Sequence, residues 1–104
     1  MEITEQMKEM AVSLVEELNG KSADSSHAIE LHDDYVDIVR HVAGIRVICA
    51  VSLGIFRQMM EDEWVRRLIV MNVLRVLKAG ELDAIRRRER KVSQEDTSAE
   101  GVGV

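Results

Sequence analysis

The chain has 104 residues, of which 46% are hydrophobic, and this suits one small domain with a real core. A single cysteine, Cys49, excludes an internal disulfide, and the start of the chain lacks the basic-then-apolar pattern of a secretory signal, so we expect a cytoplasmic protein. The net charge of −5 is unevenly divided, with net −7 in residues 1–34, net +5 in 35–92 and net −3 in 93–104. We therefore expect the acidic N-terminal part to pack on the basic part, within one chain or between two copies.

The first predicted element is an amphipathic helix from about Thr4 to Asn19, with Thr4 as its N-cap and Gly20 directly after its end. Its apolar residues recur at helical spacing: Met7, Met10, Ala11, Leu14, Val15 and Leu18. The small polar residues 21–26 that follow predict a loop.

Acidic residues stand at the end of this helix and again before the next apolar stretch. The segment EELNG at 16–20, followed by DYVD at 34–37, resembles the EExxE and ExxD motifs of the all-α nucleotide pyrophosphohydrolases of the MazG type. Gly20 stands where that family has its third acid, and Asp34 where it has a glutamate. The resemblance implies an all-α fold and metal-dependent nucleotide hydrolysis, with Mg²⁺ held by these residues: Glu16, Glu17, Asp34 and Asp37.

The same acids have two other interpretations. If the following helix begins before residue 30, four potential ligands for a hard divalent cation share one of its faces: Glu30, Asp34, Asp37 and His41. The simpler interpretation, which we prefer, is a solvated polar edge with acids at a helix start and no bound metal or other cofactor.

The apolar stretch from Tyr35 to Met60 is predicted to be the central helix, because its apolar residues fall on two helical faces that both require partners. One face contains Tyr35, Ile38, Val42, Ile45, Cys49, Phe56 and Met59. The alternative is a buried strand from Ile45 to Leu53, between two glycines, but we see no hairpin or crossover partner for it. A membrane span is excluded because the uncharged run from Val47 to Phe56 has ten residues, and a span needs about twenty.

A third helix is predicted to begin after the N-cap Asp62 and to end near Gly80. Its predicted buried side consists of Val65, Leu68, Ile69, Val73, Val76 and Leu77. A short last helix from Glu81 leads into a basic run that could contact phosphates: Arg86, Arg87, Arg88, Arg90 and Lys91. Residues 93–104 are small and polar and predict a disordered acidic tail.

These elements predict an all-α protein, with a small bundle of three main helices and a short C-terminal helix over residues 1–92. Its central helix would be buried, with dimerisation completing the cover. Since no catalytic signature is present, the leading function is a non-enzymatic interaction or assembly protein that binds itself and another protein through Phe56, Met59 and Trp64. Nucleic-acid binding through the basic run and metal-dependent nucleotide hydrolysis are the alternatives.

Overall fold

Three helices and a three-stranded antiparallel sheet make up the chain. A computed structural model describes residues 4–22 and 24–102, with side chains for 4–22 and 24–90. The elements in chain order are α1 (Glu5–Lys21), β1 (Ser26–Leu31), β2 (Tyr35–Val42), β3 (Ile45–Ser52), α2 (Leu53–Glu61) and α3 (Glu63–Val102). The strands lie in the order β1-β2-β3, so that each strand pairs with its neighbour in the chain.

The predicted all-α fold is wrong, because the stretch from Tyr35 to Met60 forms β2, β3 and α2 instead of one buried helix. A two-residue turn joins the two strands, with Ala43 at φ 50° and Gly44 at φ 76°. Two consecutive residues with positive φ are what a tight antiparallel hairpin requires. The strand that the sequence offered only as an alternative, Ile45 to Leu53, is β3. The all-α fold implied by the resemblance to the pyrophosphohydrolases is absent for the same reason.

The two faces of the sheet have different roles. On β2 and β3 the inner face pairs Val36 with Val51 and Ile38 with Cys49. All three helices contribute to one core cluster with these inner-face residues, through Leu14, Phe56 and Leu77 among others. The outer face holds the alternate residues of each strand, and Val39 at its centre does not belong to that cluster. The sheet is therefore covered by helices on its inner face.

Helix α1 confirms the first predicted helix. The hydroxyl of Thr4 accepts a hydrogen bond from the backbone N–H of Met7 at 3.2 Å, as an N-cap should. The predicted apolar stripe is buried at Met7, Met10, Ala11, Leu14 and Leu18. The helix ends at Lys21, so Gly20 is its penultimate residue and does not follow its end.

Helix α3 replaces the predicted third and fourth helices with one continuous helix. Its N-cap is confirmed, since the Asp62 carboxylate accepts from the N–H of Trp64 at 2.9 Å. No break occurs at Gly80, where α3 lies so close to β3 that a Cβ would stand 2.6 Å from Cγ1 of Val47. The prediction of a disordered tail at 93–104 falls on residues whose side chains, and for 103–104 also the backbone, lie outside the described part of the chain.

Candidate functional site

Helix α3 has two apolar faces. Val70, Val73 and Leu77 on its inner face are at most 3% exposed and belong to the core. A second face, towards solvent, has an outer stripe of five residues, which we define as Trp64, Leu68, Met71, Leu82 and Ile85. Their spacing of four, three, eleven and three residues keeps all five at a and d positions of one heptad pattern, the spacing of a helix that packs on another helix.

The outer stripe is open to solvent. Trp64 is 66% exposed, Met71 60% and Leu68 47%, whereas fully buried residues of the same helix show values near zero. The predicted buried side of this helix is therefore wrong at Leu68 and at Val76, which is 49% exposed. Two exposed cations, Arg75 and Lys78, occupy the heptad positions between Met71 and Leu82 and divide the stripe in two.

The three predicted partner-binding residues do not lie together. Trp64 belongs to the outer stripe, but Phe56 is 0% exposed and Met59 2%, and both are in the core cluster. A partner could reach these two side chains only if α2 left the sheet. Of the predicted anchors, the folded chain presents Trp64.

The predicted basic run lies on the part of α3 beyond the stripe. Arg86, Arg87, Arg88 and Arg90 are exposed, and the side chain of Lys91 lies outside the described residues. Two of the arginines already have partners in the chain: Nη2 of Arg87 is 3.0 Å from a carboxylate oxygen of Asp83, and Nη1 of Arg88 donates to the carbonyl oxygen of Ala43 at 3.3 Å. Nucleic-acid binding by this run stays a prediction.

The predicted magnesium ligands are not brought together as a set. Glu17 on α1 accepts from both Nε (3.2 Å) and Nη2 (2.9 Å) of Arg66 on α3. Asp34 is exposed in the β1–β2 turn, where its carbonyl oxygen accepts from the N–H of Leu53. Asp37 lies on the outer face of the sheet, in the register position opposite Glu30. Binding of Mg²⁺ by Glu16, Glu17, Asp34 and Asp37 stays untested, although Arg66 already neutralises one member.

Asp37 instead belongs to a polar network on the outer face of the sheet. Nε2 of His32 is 3.1 Å from Oδ2 of Asp37 and 3.8 Å from Oε2 of Glu30, and its ring stacks on Tyr35 with centroids 4.4 Å apart. The other carboxylate oxygen of Glu30 is 3.0 Å from Nη2 of Arg46. Because Glu30 is on β1 and Arg46 on β3, this ion pair must cross β2.

Val39 is 0% exposed although it lies on the outer face of the sheet, away from the helices of the core, and the ion pair from Glu30 to Arg46 explains this burial. The register puts Val39 midway between the two charged residues, opposite Ala28 on β1 and Ile48 on β3. We attribute the burial of Val39 to the aliphatic stems of Glu30 and Arg46, whose ion pair crosses β2 at this level. The predicted cation site on one helical face contained Glu30 and Asp37, but it grouped them with Asp34 and His41 and lacked His32 and Arg46. Paired strands and not a helix bring the observed residues together.

Among the described residues, the one group of three metal-binding side chains is Glu30, His32 and Asp37, whose ligand atoms lie within 4.8 Å of one another. One imidazole nitrogen and two carboxylate oxygens could bind a divalent cation. However, the contacts with Arg46 and Tyr35 already give the carboxylate and the ring a structural role at the sheet surface.

A second polar network is buried between the sheet and α3. Arg40 on β2 is 7% exposed and Glu81 on α3 is 4% exposed. Nη2 of Arg40 is 3.5 Å from Oε1 of Glu81. Oε2 of Glu81 is 2.9 Å from Nζ of Lys78. The hydrogen bond from Lys78, helped by the charge of Arg40, holds the pKa of Glu81 below its ordinary value against the effect of burial.

His27 extends this network to β1 and α1. Both its backbone N–H and its ring Nδ1 contact Oδ1 of Asn19, at 2.9 and 3.0 Å, so Nδ1 carries the proton and Nε2 has a free lone pair. Nε2 of His27 and Nε of Arg40, its register neighbour, are buried without a hydrogen-bond partner. Burial, together with the charge of Arg40, lowers the pKa of His27.

Two surface grooves of the described part of the chain are lined by glutamate and arginine side chains. Two grooves of about 530 and 690 Å³ lie between α1, α2 and the start of α3, and Arg66 lines both. Of the described residues around them none is a histidine or cysteine, and the hydroxyl of Ser13 accepts from Arg66 at 3.1 Å. Cys49 is half-buried, and burial raises the pKa of its thiol, which makes it a poor nucleophile.

No protein-family model, curated protein or solved structure matches this chain. Within the part of the chain that the structure describes, none of the helices combines the length and apolar character that crossing a membrane requires.

Proposed function

We propose that this protein is a non-enzymatic interaction protein that associates with a second copy of itself through the outer stripe of α3. The observation that carries the proposal is the second apolar face of this helix, which is exposed and distinct from the face already used by the core. An amphipathic helix needs one apolar face to join a domain, so a second one at heptad spacing favours a partner helix.

The size of the stripe sets the expected strength of association. Its five side chains expose on the order of 500 Å² in each copy, if a large side chain presents about 150–250 Å² when fully exposed. Two copies would bury roughly 1,000 Å², which is near the lower limit for a specific interface. We therefore expect a reversible dimer with a dissociation constant in the micromolar range, about 1–100 μM.

The exposure of Trp64 gives a direct assay, because it is the only tryptophan of the chain. On dilution from about 500 to 1 μM, across the expected range, its emission should shift to the red, and the mass from light scattering should fall towards 11.8 kDa. The variant Met71→Ser should remain a monomer over this range. Val12→Ser is the matched control, because Val12 is 62% exposed but lies on α1.

A constant mass of 11.8 kDa at every concentration would refute the proposal. So would equal effects of Met71→Ser and Val12→Ser on the mass, because association would then not depend on the outer stripe.

A further inference from the structure

We infer that the outer stripe, when it pairs with the stripe of a second copy, forms a binding site for a multivalent oxyanion such as phosphate. This inference rests on the proposed function and names the class of ligand that regulates the same surface. The site consists of Arg75 and Lys78, the two exposed cations that divide the stripe. One copy alone does not contain the site, because the second copy contributes half of the cations.

The cations of the two copies meet whichever way the two helices run. Arg75 occupies an a position of the heptad pattern, and Lys78 occupies the next d position. In a parallel pair like positions face each other, so Arg75 faces Arg75 of the second copy and Lys78 faces its Lys78. In an antiparallel pair an a position faces a d position, so each Arg75 faces a Lys78. Both orientations therefore place four cations in two adjacent layers at the centre of the interface.

The apolar residues favour the register that brings the cations together. On each side of the centre the stripe has two exposed apolar residues next to the cations: Leu68 and Met71, then Leu82 and Ile85. When the two stripes overlap fully, each of these four residues faces an apolar residue of the second copy. A shift by one heptad, in either orientation, would place two of them against the cations and desolvate the charges on apolar groups, which is unfavourable. A larger shift would leave half of the stripe exposed.

The chain does not neutralise these cations by itself. Between residues 71 and 82 the helix has one acid, Glu81, which is 4% exposed. Its carboxylate oxygens are 2.9 Å from Nζ of Lys78 and 3.5 Å from Nη2 of the buried Arg40, so one negative charge serves two cations. Among the described residues, no carboxylate forms an ion pair with Arg75. Each copy therefore brings two positive charges in excess to the centre of the interface.

A multivalent oxyanion counters this excess of positive charge. Like charges held together at an interface oppose association, and the e positions beside the centre, Asn72 and Ala79, supply no acid. An arginine guanidinium can donate two parallel N–H bonds to one phosphate, and a lysine ammonium adds a compact positive charge. A phosphate at the centre would contact cations of both copies. It would therefore bind the dimer more tightly than the monomer and would strengthen the dimer by mass action.

The test compares the dissociation constant of the dimer in sodium chloride and in inorganic phosphate at equal ionic strength. Light-scattering mass and Trp64 emission over a dilution series give the constant in each salt. We expect about 30 mM phosphate to lower it about threefold to tenfold, which is the effect of a ligand present at roughly two to nine times its own dissociation constant. In chloride alone, a rise from about 0.05 to 0.5 M should also strengthen the dimer, because salt screens the repulsion between the cations.

Two variants assign the effect of phosphate to the cationic centre. Arg75→Met combined with Lys78→Met keeps long side chains and makes the stripe continuous. We expect this double variant to dimerise about tenfold more tightly in chloride, because the like charges are gone, and to lose its response to phosphate. Arg87→Gln is the matched control, because the side chain of Arg87 is 77% exposed but lies off the stripe and pairs with Asp83. It should keep the full response.

The outcomes separate this inference from the proposed function. If the dimer forms with equal dissociation constants in phosphate and chloride, the inference fails and the proposed function stands. The same conclusion follows if the double variant responds to phosphate as strongly as the unchanged protein does, because the anion then acts elsewhere. A mass of 11.8 kDa at every concentration in both salts removes the inference and the proposed function together.

Discussion

The close approach of α3 to β3 predicts an unusual effect of alanine at Gly80. In a helix interior, replacing glycine with alanine normally stabilises a protein by about 1 kcal/mol, because alanine loses less conformational freedom on folding. At Gly80 the new Cβ would stand 2.6 Å from Cγ1 of Val47, which is closer than two carbon atoms can approach. We expect Gly80→Ala to lower the free energy of unfolding by about 1–2 kcal/mol, since overpacking outweighs the propensity gain.

The control variants locate the cause of this effect. Gly20→Ala on α1 meets no atom within 4 Å of its Cβ, so it should stabilise the protein by up to about 1 kcal/mol. Val47→Ala removes the atom that clashes and leaves the Val47 Cβ at 3.9 Å, an ordinary contact distance. In that background Gly80→Ala should become stabilising, with a coupling free energy of about 2 kcal/mol between the two positions.

Urea denaturation of the four variants, followed by circular dichroism, measures these differences as shifts of the midpoint at constant m-value. Equal stabilisation of the otherwise unchanged protein by Gly80→Ala and by Gly20→Ala would contradict the predicted clash. That result would mean that α3 does not lie against β3 at this point.

The other predictions concern stability and its dependence on pH. Folding lowers the pKa of His27, so below the ordinary value of 6.5 the unfolded chain binds more protons than the folded chain. The free energy of unfolding should therefore decrease as the pH falls below 6.5. Urea titrations at about pH 7.5 and 5.5 should show a smaller decrease for His27→Gln than for the unchanged protein. Phe56→Ala should lower the free energy of unfolding by about 3–5 kcal/mol, and Trp64→Ala should lower it by at most about 0.5 kcal/mol in dilute samples. Equal losses would contradict the assignment of Phe56 to the core and Trp64 to the surface. Arg66→Ala should cost about 1 kcal/mol by releasing Glu17, and an unchanged unfolding midpoint would show that the contact between α1 and α3 is not stabilising.

The sequence predicted the N-termini of α1 and α3 correctly, but not the ends of these helices or the centre of the chain. Thr4 and Asp62 were identified as N-caps from their residue types and positions, because capping depends on contacts within one turn. The hairpin between β2 and β3 was missed because its turn is Ala43–Gly44, and alanine rarely adopts a positive φ. Without a recognised turn, the strand from Ile45 had no apparent partner, and a helix was the remaining interpretation.

The outer network of the sheet shows a second limit of the sequence. Glu30, His32 and Asp37 come together because β1 and β2 pair in a particular register, and the local sequence does not fix that register. The outer stripe of α3 could in principle have been found, since its heptad spacing is visible in the sequence. Of its five residues, Leu68 was predicted to lie on the buried side, because hydropathy ranks it no differently from Val73.

A further physical cause is common to the errors on β2 and on α3. On β2 the inner positions are Val36, Ile38, Arg40 and Val42, and the charge in this row hides the period of two that predicts a strand. On α3 the inner face continues from Val73 and Leu77 to Glu81, and here the charge hides the buried side of a helix. The two interrupting residues are each other's partner at 3.5 Å, and a buried charge is tolerated when an opposite charge accompanies it. Each side chain looks misplaced in its own segment, and only the pairing of the sheet with α3 makes both positions favourable.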